Sequence, residues 1–313
     1  MIDFRYHLVS IISVFLALAV GIVVGTTALN GVIVDDLRQR VDGLAADKRA
    51  REQTITEEQR TLAGANAFVT AVTPQEVAGQ LAGRRITLIS APGVSADVRS
   101  SVTDVLDQSG ATTVTRIRLS DAFADPTRAA DIASVATDAA RVQSVPLDAS
   151  TSSAQRVAAA FAPAVVGTGN DLDNPIAKAA QRRALDPWRA AGLITVDQQD
   201  GPGDLALVLV PDPPDPRPDK DVLTPQVLAL ALALDERDDG TVVAGSIASA
   251  DSGIVNAVRN AGTSSRVSTQ DSVDTPWGLV GLIRTARAEA GGTAGQFGAG
   301  PGSRGPVPVP SSK

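Results

Sequence analysis

The sequence predicts an α/β protein: a doubly wound, mostly parallel sheet with helices on both faces, behind a single N-terminal transmembrane helix and a coiled-coil stalk. Three observations predict it. An uncharged apolar run opens the chain. Apolar residues then recur in heptad steps through a polar segment. From residue 84 onward, short β-rich runs alternate with helical patterns, the rhythm of a parallel sheet with crossover helices.

The apolar run covers residues 8–29, and no charged side chain occurs from 8 to 34. At about 1.5 Å of rise per residue, roughly 22 residues cross a hydrocarbon layer of about 30 Å. A cleaved signal peptide has a shorter apolar region, about 7–15 residues, ending at small side chains. Ala17-Leu18-Ala19 imitates such an ending, but Val20, Ile22, Val23 and Val24 carry the run past it. Residues 1–34 are therefore expected to be a cytoplasmic stub and an uncleaved anchor. Arg5 precedes the span, and Asp35 and Asp36 follow it. Positive charge stays on the cytoplasmic side, which places the N-terminus inside and the body in an extracytoplasmic, periplasm-like space. Gly21 and Gly25 stand one turn apart, a spacing that lets a second helix backbone approach. Glycine is also simply frequent in membrane helices.

Residues 35–72 form the expected stalk. Leu37, Val41, Leu44, Ile55, Leu62 and Val69 follow the three-four alternation of a coiled-coil seam, with Lys48, Arg51 and Glu58 interrupting it. A helix polar on most of its faces needs a second copy, a partner helix or the protein body to cover its stripe. The expectation is a homodimeric stalk; the alternative is one surface helix lying on the domain. Thr73 as N-cap, Pro74 at the first helical position and Glu76 closing a capping box predict a fresh helix start.

Residues 73–290 form the expected α/β domain. Strand patterns cover 84–90, 113–119, 193–196, 205–210, 241–245 and 265–268. Helical patterns cover 95–108, 131–140, 154–161, 176–191, 225–234, 251–261 and 277–290. The run 205–210 is continuously apolar, as a strand buried on both faces requires. The proline-rich stretch 212–219 is an extended loop after a strand's carboxyl end, the edge where such sheets bind ligands. Residues 291–313, rich in Gly, Pro and Ser, are expected to be disordered or loosely laid on the surface.

Composition removes whole classes of chemistry. The net charge is −7, so an attraction to nucleic acid is not expected. There is no cysteine, one histidine (His7) and one methionine. Disulfides, thiolate metal sites and thiol nucleophiles are excluded. A catalytic triad would have to use His7, at the membrane edge. No phosphate-binding glycine motif is present; Ser90 and Pro92-Gly93 merely mark the first strand's exit. The acidic pairs Asp171/Asp173, Asp200/Asp204 and Asp238/Asp239 read as solvated turns. The chain is expected not to be an enzyme and to hold no cofactor.

The opening FRYHLVSIISVFLALAVGIVVGT, with its Arg-x-His-x-Val-Ser lead-in, and the ending SVDTPWG…GGTAGQFGAGPG resemble the actinobacterial MctB family. The C-terminal part of that resemblance rests on Asp274, Gly278, Gly295, Phe297 and Gly298. The family name denotes mycobacterial copper transport, with an outer-membrane channel among its descriptions. The family also includes the SteB cell-separation proteins, which work with a neighbour called SteA. The resemblance thus implies either copper homeostasis or an anchored scaffold in envelope remodelling and cell division. Soft ligands for Cu(I) and imidazoles for Cu(II) are missing from the exported part. The short, helix-separated strands do not suit an outer-membrane barrel. The sequence reading is therefore a non-enzymatic envelope adaptor, a homodimer or bound to a SteA-like partner. Copper efflux is the alternative, and a small-ligand module at the sheet's carboxyl edge a weaker one.

Overall fold

The computed structural model describes residues 4–215, 221–262 and 266–309, with side chains at 4–5, 26–38 and 170–171 outside the description. The Leu37 side chain, part of the proline loop (216–219) and Ser265 therefore lie outside the described residues. The chain divides into two compact units, 1–65 and 66–313, each taken by itself below.

A single helix, α1 (Phe4–Val77), runs through the predicted span and the predicted stalk. In the first unit the described side chains of the apolar run are almost all exposed, and so are Val41, Leu44, Ile55 and Leu62 of the seam. In the second unit the helix does not restart at Thr73, contrary to expectation. It continues through Pro74. The Thr73 hydroxyl donates back to the Val69 carbonyl at 2.8 Å instead of capping a new turn. Tertiary anchoring overrides the local signal: Val77 is fully buried, and Glu76 pairs with Arg284 at 2.6 Å.

The second unit is built on a seven-stranded sheet with order β3-β2-β1-β4-β5-β6-β7. Its strands are β1 (Arg85–Ser90), β2 (Thr112–Leu119), β3 (Ile194–Gln199), β4 (Leu205–Leu209), β5 (Thr241–Ala244), β6 (Ser268–Gln270) and β7 (Gln296–Phe297). All neighbours pair in parallel except β2 and β3, which are antiparallel. The order reverses between β1 and β4, the switch point of a doubly wound sheet.

Strand periodicity divides the core between two faces. Leu205, Leu207 and Leu209 of β4 join Ile86, Leu88, Val242 and Ala244 on one face. This face packs on Val77 of α1, on α2 (Ala96–Gln108) through Val102, Val105 and Leu106, and on Leu282, Ile283 and Ala286 further along the chain. Ala206 and Val208 point the other way, with Ile89, Ile117 and Val243, toward a second helical layer. That layer comprises α3 (Ala129–Gln143), α4 (Ser153–Phe161), α5 (Pro175–Ala184), α6 (Asp186–Ala190), α7 (Leu223–Asp235), α8 (Ile247–Ser252) and α9 (Ile254–Asn260). The last helix, α10 (Pro276–Ala290), carries Leu282, Ile283 and Ala286 and belongs to the first face. Trp188 is fully buried, stacked on Phe123 at 6.1 Å and edge-on to Phe161 at 5.3 Å.

Two predicted helices are each split. Pro187 suits a helix start, and the 176–191 pattern breaks into α5 and α6. Gly253 separates α8 from α9, and a Cβ there would sit 2.9 Å from the Ser249 Cα. The tail also differs from its expectation. Gln296 and Phe297 add a seventh strand, and Gln296 is 3% exposed.

Candidate functional site

The carboxyl edge of the sheet opens into a cleft of ≈ 640 Å³ at the β1/β4 switch point. Gly93 after β1, Pro211 and Asp212 after β4, Ser246 after β5 and Asp274 after β6 all line it. Gly93 adopts φ +85°, and an added Cβ would crowd Pro211 at 3.1 Å. This close approach of two loops needs glycine. Ser95 caps α2 by accepting from the Val98 amide at 3.2 Å, while the Ser246 hydroxyl donates to Asp212. Asp121, Asp212 and Asp274 make the polar part of the lining acidic, over apolar walls from Val94, Val98 and Val210. Among the described residues, no histidine, lysine or arginine lines this cleft. The described lining is that of an acidic groove.

The residues that carry the C-terminal resemblance are brought together around Asp271, except Asp274. The Asp271 carboxylate is fully buried. It accepts from the Ala299 amide at 2.7 Å, the Ser272 hydroxyl at 2.8 Å, Arg259 Nη2 at 2.9 Å and the Gly300 amide at 3.0 Å. Arg259 donates also to Thr269 Oγ1 at 2.9 Å, the Phe297 carbonyl at 2.7 Å and the Pro301 carbonyl at 2.8 Å. Gly298, at φ +129°, lies so close to Asp271 that a Cβ would overlap the carboxylate. Gly278 lets the first turn of α10 rest on the Ser272 carbonyl, and a Cβ at Gly295 would strike the Phe297 ring. Asp274 is exposed at the cleft instead. Sequence reasoning missed Arg259 and Asp271; the only signal was a carboxylate directly after a strand.

At the sheet's amino edge the acidic turns are not all solvated. Asp204 is 7% exposed and accepts from the Arg85 amide at 3.0 Å. Its pKa is raised by burial. Burial pushes Asp238 up to about 9, against the pull of the Gly240 amide and the Thr241 hydroxyl, with nearby Asp235 and Glu289 adding to the rise. Burial likewise raises Glu289 to about 7, although the Ser268 hydroxyl donates to it.

In the first unit, α1 is long and apolar enough over Tyr6–Gly25 to cross a membrane. Gly21 and Gly25 have open space where a Cβ would stand. Val69, the last seam residue, is half-buried in the second unit.

A family model described as "Copper transport outer membrane protein, MctB" matches residues 1–308. The chain belongs to the MctB family. Two relatives, from Mycobacterium tuberculosis (strain H37Rv) and Mycobacterium bovis, are each called copper transporter MctB. Each is 26% identical over 309 residues, which is 97% of this chain and 98% of the relative. The MctB name makes copper the cargo to test against the residues. Cu(I) is held by thiolate and thioether sulfur, and imidazole serves Cu(II). This MctB chain offers Met1, His7 and no cysteine. Among the described residues, no group of three His, Cys, Asp or Glu side chains has the geometry to hold a metal. The donor set does not fit a resident copper ion.

Proposed function

We propose that this chain is a membrane-anchored, non-enzymatic component of copper homeostasis that acts through protein contacts rather than through copper ligands of its own. The match to the MctB family over residues 1–308 carries the copper assignment. The shortage of sulfur and imidazole donors carries the indirect role. The Tyr6–Gly25 helix serves as the anchor. Arg5 before it and the Asp35-Asp36 pair after it favour an extracytoplasmic body. The exposed Val41, Leu44, Ile55 and Leu62 form the contact surface, for a second copy or a SteA-like envelope partner.

That same exposed stripe favours a second reading, an adaptor in envelope remodelling at cell separation. Disruption of the gene in its native host separates the two. The copper reading expects growth inhibition and raised cell-associated copper in copper-supplemented medium, both reversed by the wild-type chain and not by L44D/I55D. Unchanged copper tolerance with chained, unseparated cells would overturn it in favour of the adaptor. Calorimetric titration of the purified full chain with Cu(I) tests the indirect role: tight stoichiometric uptake would refute it.

A further inference from the structure

A cavity of ≈ 390 Å³ lies between α2 and the β1–β2 side of the sheet, away from the acidic cleft. Three guanidinium groups line it: Arg99 from α2, and Arg116 and Arg118 from β2. The parallel register sets Arg116 beside Leu88 and Arg118 beside Ser90, the last residue of β1. Because β2 side chains alternate, Ile117 enters the core of the opposite face while both arginines face α2.

The three arginines are held differently. Arg118 grips Asp197 through Nε at 2.9 Å and Nη2 at 2.8 Å, an arrangement that fixes its plane. Arg99 donates through Nη1 to the Val94 carbonyl. Arg116 Nε is buried and has no hydrogen-bond partner. A buried donor without an acceptor costs about 1–3 kcal/mol, so such an atom calls for an explanation. The bland one is an aliphatic stem resting on the sheet with its head in water. It leaves unexplained why three arginines, one of them carrying that unpaired nitrogen, line a single cavity.

Charge accounts for what would fit. Asp197 offsets Arg118, which leaves Arg99 and Arg116 against Asp104. The cavity is thus locally positive in a chain of net charge −7. Its donors stand on opposite walls, one helix and one strand. A tetrahedral oxyanion presents oxygens to both walls at once, and guanidinium forks match its geometry. The volume lies in the range of small-molecule sites, about 300–1,000 Å³.

We infer that this cavity binds the phosphate group of a phosphomonoester, with Arg116 and Arg99 as its principal donors and Arg118 as a wall fixed by Asp197. The inference stands apart from the copper reading. The source of the phosphate is either a lipid headgroup or a soluble ester.

The test is calorimetric titration of the full chain in maltoside micelles, at constant ionic strength in chloride. Glycerol 3-phosphate and dihexanoyl phosphatidate are the probes, with acetate as the control anion. Saturable one-site binding of a phosphate probe is expected, weakened at least tenfold by R116Q and by R99Q, both checked for folding by far-UV circular dichroism. Should R116Q fail to fold, R99Q decides alone. Tighter binding of the phosphatidate assigns a lipid headgroup; equal binding assigns a soluble ester. Absence of saturable binding, equal binding of acetate, or undiminished affinity in the folded variants overturns the proposal.

Discussion

Asp271→Ala is the most informative perturbation of the fold. The carboxylate is fully buried and answers four donors, and its partner Arg259 has a side chain only 3% exposed. Removing one member of a buried ion pair strands the other charge, at a cost of about 3–5 kcal/mol. The Ala299 and Gly300 amides lose their acceptor as well, at about 1–3 kcal/mol for each that water cannot reach. These terms overlap, because water that enters for Arg259 also reaches the amides. A loss of about 4 kcal/mol is the working figure, a large share of a typical 5–15 kcal/mol stability. Arg259→Met removes the stranded charge, so the double variant should lose less than the two single losses combined. Urea unfolding of the full chain, followed by fluorescence of the buried Trp188, gives these values. Hydrogen exchange across 294–302 reports whether the tail lets go first. A loss below about 1 kcal/mol with full protection of the tail would refute the view that Asp271 holds the C-terminal segment in place.

Two further predictions concern the core and the amino edge. Trp188→Ala removes the ring that Phe123 and Phe161 pack against, and should cost about 3–5 kcal/mol in urea unfolding followed by far-UV circular dichroism. For pH, Asp238 at about 9 and Glu289 at about 7 both lie above their ordinary range. Between those ordinary values and the raised ones, the folded chain binds more protons than the unfolded chain. Their contribution to stability is therefore complete below about pH 4 and declines as pH rises through 7 toward 9. Thermal midpoints should be lower at about pH 8.5 than at about pH 5.5, and Asp238→Asn should narrow the gap.

How far the sequence reveals the fold depends on how local the cause is. The apolar run of β4 and the alternation in β2 are local, and both strands stand where the pattern puts them. The sheet order is not local, yet short alternating βα units leave few topologies to choose from. Pro74 misleads because the burial of Val77 and the Glu76–Arg284 pair lie beyond any local window. The two-residue β7 has no periodicity to detect; only the edge of β6 makes it a strand. Asp204 reads as a solvated turn because the amide that holds it comes from residue 85. The same holds for the arginine cavity. Arg116 and Arg118 are visible as alternating strand residues, but Arg99 meets them only once α2 has folded back over β1 and β2.

The placement of β7 has a bearing on biosynthesis. At one edge of the sheet, β7 leaves the ribosome after every other strand of that sheet has emerged. A nascent chain awaiting it holds Arg259 without the carbonyls of Phe297 and Pro301, and leaves the outer rim of β6 unpaired. A premature stop codon between 291 and 296 would freeze that unfinished state. Such a product should be degraded or self-associate through the bare rim.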